Sequence, residues 1–500
     1  MSVEHHAFHV TEHLPALAAV VPLVGAVLAA LVRNGTIAWL VSLAVGLALP
    51  VISILMLWEV QASGPISYAL GGWAPPVGIE FRVDLANAYL AILVSVMAGV
   101  VLAGSPRSID DEVNPENRAW YYAAFLLCLC GLMGMIVTGD AFNVFVFMEV
   151  SSLATYILIA MGRDRRALVA AYQYLIIGTV GATFYVIGVG LLLAMTGTLN
   201  LVDLAQRLPQ IEATRPLFTA VAFIIVGLGL KLALFPMHLW LPNAYAYAPS
   251  SASAFVASTA TKVAVYLLLR FTFSVYGVDF VLPETPAATL FMILASVAMI
   301  SGSLSAIFQT NVKRMLAYSS VSQIGYIILG IAMISETGLT GGISHMFNHA
   351  LIKGALFIAV AAVIFATGAV RIDDMAGLGR TMPVTMGAFV IAGLGLIGVP
   401  GTAGFISKWY LIQGAAEQGM WWIVAVIVVS SLMAVFYIGR VVEVAWFRAP
   451  LSDAPRRAPP ELVLAAVALA VAVVIFGFFT EFSAGVASDA ARVLLEGYAR

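Results

Sequence analysis

The chain has 500 residues, of which 62% are hydrophobic and only 10% charged, with a mean hydropathy of +1.01. Soluble domains carry about 25% charged residues, so a water-soluble enzyme is excluded: there is too little polar surface to cover one. A formal net charge of −2 without a basic tract excludes a nucleic-acid binder, and the hydrophobicity excludes disorder. Lysine is the anomaly. The whole chain has five, Lys231, Lys262, Lys313, Lys353 and Lys408, and all but Lys313 fall inside apolar stretches.

A membrane helix needs about 20 apolar residues. Fourteen segments qualify, near 14–32, 36–59, 85–104, 119–138, 140–161, 167–196, 216–241, 252–273, 287–308, 314–334, 343–367, 384–413, 421–447 and 461–482. The expected fold is an all-α polytopic membrane protein of about 14 transmembrane helices, joined by short loops. His5, His6, His9 and His13 precede the first span and read as a solvated tail. No basic n-region precedes it, so the first helix itself is expected to insert. Residues 65–84 break the pattern: Gly71-Gly72-Trp73-Ala74-Pro75-Pro76, then Ile79 to Asp84, predict a turn and a short surface hairpin. Cys128 and Cys130 face different sides of one helix and suit small buried positions. Residues 200–215 suggest a short amphipathic segment at the membrane face. With the N-terminus outside, fourteen basic residues fall in loops on the inner side and six on the outer, which places both termini outside in the cell membrane.

Two interrupted helices stand at matching places. Gly227-Leu-Gly-Leu230 precedes Pro236, and Gly393-Leu-Gly-Leu396 precedes Pro400. Paired breaks of this kind point to a transporter built from repeated halves.

A lysine at the bilayer centre costs about 2.5–3.5 kcal/mol on insertion scales, so each must pair, face a wet cavity or shed its proton. Glu149 is the one acid inside the fifth span, and Lys231 lies just before the break at Pro236; they are expected to pair. Lys262 is central in the eighth span, where the hydroxyls of Ser258, Thr259, Thr261 and Tyr266 offer a water chain. His345, His349 and Lys353 recur every four residues and so share one helix face; histidine titrates near neutral pH, and the stripe reads as a proton wire. A two-histidine metal site is the rival reading, with no third ligand in view. Lys408 follows the break at Pro400 as a candidate terminal exit, and His238 as a candidate lining of a proton uptake path. Asp84, Asp140, Asp373 and Asp374 fall at loops or helix ends, where capping or solvation accounts for them. There is no phosphate-binding loop, nucleophile elbow or Cys/His cluster, so no cofactor and no catalytic enzyme chemistry are expected.

The run from Gly229 through Lys231, Pro236, His238, Trp240 and Pro242 to Ser253 resembles the signature of the proton-translocating, antiporter-like subunits found in respiratory complex I and in the multisubunit Mrp sodium/proton antiporters. Lys313 to Tyr326 and His345-x3-His349-x3-Lys353 extend the likeness. Size, fourteen spans and Lys408 are most similar to the D-type subunits of the Mrp antiporters. The resemblance implies two inverted five-helix repeats, each with a broken helix. It divides the chain into residues 1–118, a first repeat 119–275, a second repeat 287–447 and a final helix with its tail, 461–500. It also implies a proton path through Glu149, Lys231, Lys262, His345, His349 and Lys408, with partner membrane subunits, a larger homologue among them, and protons and sodium as the transported ions. A complex I-type dehydrogenase or a membrane-bound hydrogenase is the alternative assembly. The tenth span has serines, Ser319 and Ser320, and no acid, which leaves Lys353 and Lys408 without an expected carboxylate.

Overall fold

The computed structural model describes residues 10–212, 214–278, 280, 285–450 and 456–497; His5, His6 and His9 lie outside them. The spans run as α1 Leu14–Val32, α2 Gly35–Ser63, α3 Leu85–Gly104, α4 Arg118–Val137, α5 Ala141–Ala160, α6 Arg166–Thr196, α7 Arg215–Lys231, α8 Trp240–Tyr247, α9 Ser250–Leu269, α10 Ala287–Ile307, α11 Val312–Ala332, α12 Glu336–Thr367, α13 Pro383–Ile397, α14 Ala403–Glu417, α15 Trp421–Phe447 and α16 Pro460–Phe478. Among the described residues twelve helices are long and apolar enough to cross a membrane alone. One bent pair, Asp373–Thr381 with Pro383–Ile397, brings the number to at most thirteen against the fourteen expected; the short helices α7, α8, α13 and α14 lie beside breaks in the chain. In lipid every backbone polar group must find a partner within the protein, which leaves helices as the natural form of such a chain.

The predicted hairpin is present. β1 Ile66–Ala69 pairs antiparallel with β2 Glu80–Val83, Ile66 opposite Val83. The 200–215 segment holds a short helix, Leu201–Arg207, started by the Asn200 side chain. Both cysteines are buried and free. An amphipathic helix, α17 Val486–Glu496, packs against α3 and α12 and buries Ala487, Ala490, Ala491 and Leu494.

The repeat is visible in matching details. The Asp140 side chain caps α5, and residue 140 bridges to Asn200 beyond α6; the Asn311 side chain caps α11, and residue 311 bridges to Arg371 beyond α12. In each unit the fourth span is broken, at residues 232–239 and 398–402. Five spans is an odd number, so the second unit enters the membrane from the face opposite the first. One face carries the hairpin; the other is arginine-rich, with Arg107–Glu461, Arg118–Asp110, Arg448–Asp373 and Arg456–Asp111 pairs between its loops. The halves of the second broken span cross closely: a Cβ at Gly404 would lie 1.9 Å from the Gly395 carbonyl oxygen.

Candidate functional site

All five lysines are buried, between 0% and 6% exposed. Lys313, the one lysine expected outside the apolar stretches, is buried with the rest. It is the second residue of α11, and its ammonium donates to the Ala248 carbonyl at 2.6 Å, at the end of α8. A cation is favoured there because the last carbonyls of a helix lack partners and carry its negative dipole end.

Lys231 ends α7 where the helix breaks. Its Nζ lies 3.4 Å from Glu149 Oε1 and donates to Ser152 Oγ at 2.7 Å. The expected pair is therefore formed, with Ser152 as a further partner. Glu149 is less enclosed than its sequence suggests: its side chain is 24% exposed, on the side of α5 that also exposes Phe142, Val146, Leu153 and Ile157. Pro236 lies within the break, and Trp240 Nε1 returns a hydrogen bond to the Leu230 carbonyl at 3.0 Å. His238 is stacked near Phe235, 5.2 Å between ring centroids, and its Nδ1 has no hydrogen-bond partner among the described residues.

Between Lys231 and α9 lies a small cavity. It has a volume of about 20 Å³ and is bounded by Lys231, Ser151, Ser152 and Thr155 on one side and Ala260, Ala264 and Leu267 of α9 on the other. That is room for about one water. Lys262, wholly buried, donates to the Ala257 carbonyl one turn back and lies 3.5 Å from Thr261 Oγ1. Ser258 and Thr259 spend their hydroxyl protons on carbonyls of their own helix, Ala254 and Phe255. They are thus less free to carry water than the sequence implied. Tyr266 donates to Ile136 O and accepts from Arg270.

α9 packs on α12, which carries the histidine stripe. The His345 and His349 rings lie parallel with centroids 6.1 Å apart. His349 is fully buried, and neither ring nitrogen has a hydrogen-bond partner among the described residues; Lys262, Lys353, His345 and Lys408 all lie within its electrostatic reach. His345 is held from both sides, by Gln323 Oε1 at 2.9 Å and Ser407 Oγ at 2.8 Å. Lys353 turns to α11 and donates to Leu316 O at 2.7 Å and Ser319 Oγ at 2.5 Å.

Lys408 follows Ser407. It donates to Leu396 O and Ile397 O, both at 2.9 Å, and to Ser431 Oγ at 3.0 Å. These carbonyls are the exposed C-terminal end of α13, opened by the break at Pro400, so the lysine serves as a charged cap. The Tyr326 ring links the two groups: its centroid is 4.6 Å from Lys408 Nζ and 5.3 Å from the His345 ring. A cavity of about 210 Å³ lined by Lys408, Ser431 and Trp409 adjoins this end.

The partners of Lys353 and Lys408 are carbonyls and serines; among the described residues no carboxylate pairs with either. Gln323 and Tyr326 belong to the Lys313–Tyr326 run, which gives neither a role, and no motif includes Ser407 or Ser431. Their positions depend on helices far apart in the chain, and no local spacing marks them. The described residues include no group of three His, Cys, Asp or Glu able to hold a metal ion. Asp84 and Asp140 cap helices as expected, and Asp373 joins surface pairs with Arg440 and Arg448. Asp84 has a second role that capping does not explain, an ion pair with the buried Arg270. The ionisable side chains are buried among hydroxyls and carbonyls in two groups, Glu149 with Lys231 and Ser152, and His345 with Gln323, Ser407, Tyr326 and Lys408.

The family model for NADH:quinone oxidoreductase and Mrp antiporter membrane subunits matches residues 138–434. The chain is 42% identical to the N-type subunit of the NADH-quinone oxidoreductase of Desulforudis audaxviator, over 94% of this chain and 97% of that protein. It is 31% identical to the D-type subunit of the Na+/H+ antiporter of Alkalihalophilus pseudofirmus, over 86% of each. A chain of the Mrp complex from a Dietzia species superposes with a TM-score of 0.89 at 25% identity, covering 98% of both chains. The chain belongs to the NADH:quinone oxidoreductase/Mrp antiporter membrane subunit family.

Proposed function

We propose that this chain is a proton-translocating subunit of a multisubunit membrane complex, with protons moving along Glu149, Lys231, Lys262, His349, His345 and Lys408, and Lys353 as a side branch. The observation that carries this reading is the burial of every lysine in the chain. Ionisable groups inside a membrane mark ion paths by default. Proton arrival at one site alters its neighbour through Coulomb coupling, which at about 4 Å is on the order of 4 kcal/mol in an effective dielectric of 20. Residues 119–275 and 287–447 would be the two transporting halves, with 1–118 and 461–500 as accessory helices. The excess of basic loops supports a cytoplasmic arginine-rich face with both termini outside.

The movement of protons would drive sodium export, as in an Mrp-type antiporter with a larger homologous subunit beside it. The likeness to the D-type antiporter relative and to the Mrp complex supports this reading. A second reading, a pump powered by redox chemistry in neighbouring subunits, is favoured by the 42% identity to an N-type oxidoreductase subunit. Purification of the intact complex separates the two. Flavin and iron–sulfur absorbance in the preparation would refute the antiporter reading. Sodium-induced dequenching of a pH dye in vesicles, without a redox substrate, would refute the redox reading.

A further inference from the structure

Lys262, Tyr266, Arg270 and Ser274 recur every four residues from α9 into the π-helical turn Arg270–Val275. This is the spacing of the histidine stripe, and it places the four along one side. From Lys262 to Arg270 the helix rises about 12 Å, from the interior toward the hairpin face. The far end is contiguous. Arg270 Nε donates to the Tyr266 hydroxyl at 3.0 Å and Nη1 to Ser274 Oγ at 3.3 Å, while Nη2 is paired with the Asp84 carboxylate. The Tyr266 hydroxyl donates to Ile136 O at 3.2 Å, the same carbonyl that accepts Asn87 Nδ2 at 3.1 Å. Asp84 and Arg270 are buried.

The charges exceed what the local fold requires. Asp84 caps α3 through its Oδ1 and forms a capping box with Asn87, and asparagine caps a helix as well as aspartate does. A guanidinium contributes nothing to that cap. It keeps its proton at any physiological pH, so while Asp84 holds it against Tyr266 it cannot relay a proton to the hairpin face. π-helical turns are also frequent at functional positions.

We propose that Tyr266, Arg270 and Asp84 form a closed gate between Lys262 and the hairpin face of the membrane. Asp84 locks Arg270 over Tyr266, where the guanidinium blocks the way and cannot relay a proton from Lys262. Arg270 and Asp84 are positioning residues that insulate the proton path; loosening the lock opens it. The inference rests on the proposed path through Lys262.

The test uses vesicles carrying the whole complex, without a sodium gradient or redox substrate, and follows passive proton flux with a pH dye after an acid pulse. Asp84→Asn retains the cap and removes the lock; passive flux is expected to rise about tenfold. Adding Lys262→Gln is expected to return it to the wild-type value. The double variant Asp84→Asn/Arg270→Gln leaves no lone buried charge and is expected to leak as much. Wild-type passive flux in either assembled variant overturns the gate. So does a leak that persists with Lys262→Gln, because the flux then bypasses the stripe. Failure of Asp84→Asn to assemble also overturns it, since the charge would then be structural. A failed proton path has a different signature: coupled transport would survive Lys262→Gln alone, whatever the leak.

Discussion

Replacing Lys262 with methionine separates a transport role from a scaffolding role. The lysine is wholly enclosed, and the structure gives its ammonium a short contact to the Ala257 carbonyl and a weak one to Thr261. Placing such a charge at the bilayer centre costs about 3 kcal/mol. A hydrogen bond from a charged donor returns about 2 kcal/mol. The lysine is therefore a net burden on stability of about 1 kcal/mol. Methionine is unbranched and nearly as long, fills irregular gaps, and leaves no large cavity. Lys262→Met should raise the stability of the complex by about 1 kcal/mol, or leave it unchanged, while abolishing proton transport. Thermal unfolding of the purified complex, followed by intrinsic fluorescence, reads the first effect; dye-monitored transport normalised to complex content reads the second. A drop in stability with transport per complex intact would refute the reasoning and favour a scaffold.

Other substitutions probe the line at separate points. Lys408→Ala removes the cap on Leu396 and Ile397 and the contact to Ser431; transport should fall at least about tenfold, whereas Ser431→Ala should fall less, as measured in the same vesicles. Gly404→Ala forces a Cβ onto the Gly395 carbonyl, backbone against backbone, so the complex should unfold at lower temperature or fail to assemble on size-exclusion chromatography. At the surface, hydrogen bonds from Arg166 hold the Asp164 carboxyl below the usual carboxylate range. Its contribution to stability is then complete above about pH 4 and is lost only as pH falls through the lowered value. Unfolding scans of Asp164→Asn should therefore show the same pH slope as the wild type between about pH 6 and 8.

Much of this architecture is legible in the sequence because lipid imposes simple rules. Long apolar runs become spans, and Gly-rich runs before Pro236 and Pro400 become the two breaks. Four-residue spacing puts His345 and His349 on one face, where their rings stack. Rotation of the helices is less legible. α5 is apolar nearly all round, so nothing local shows that Glu149 shares its side with the exposed Phe142 and Val146. Lys313 beside Arg314 reads as a loop pair, and its burial depends on the end of α8, some 65 residues away. Arg270 is the instructive miss. It stands four residues beyond Tyr266 and eight beyond Lys262, so the spacing argument that marks the histidines marks it too. Its partner Asp84 sits 186 residues earlier, beyond reach of any local pattern.

The central claim is that protons pass through the buried charges, beginning at the Glu149–Lys231 pair. The most direct measurement is dye-monitored proton transport in vesicles holding equal amounts of assembled wild-type, Glu149→Ala and Lys231→Ala complex, driven by sodium or by redox substrate as the purified complex requires. Transport per complex is expected to be lost in both variants while assembly persists. Full transport in both would contradict the account.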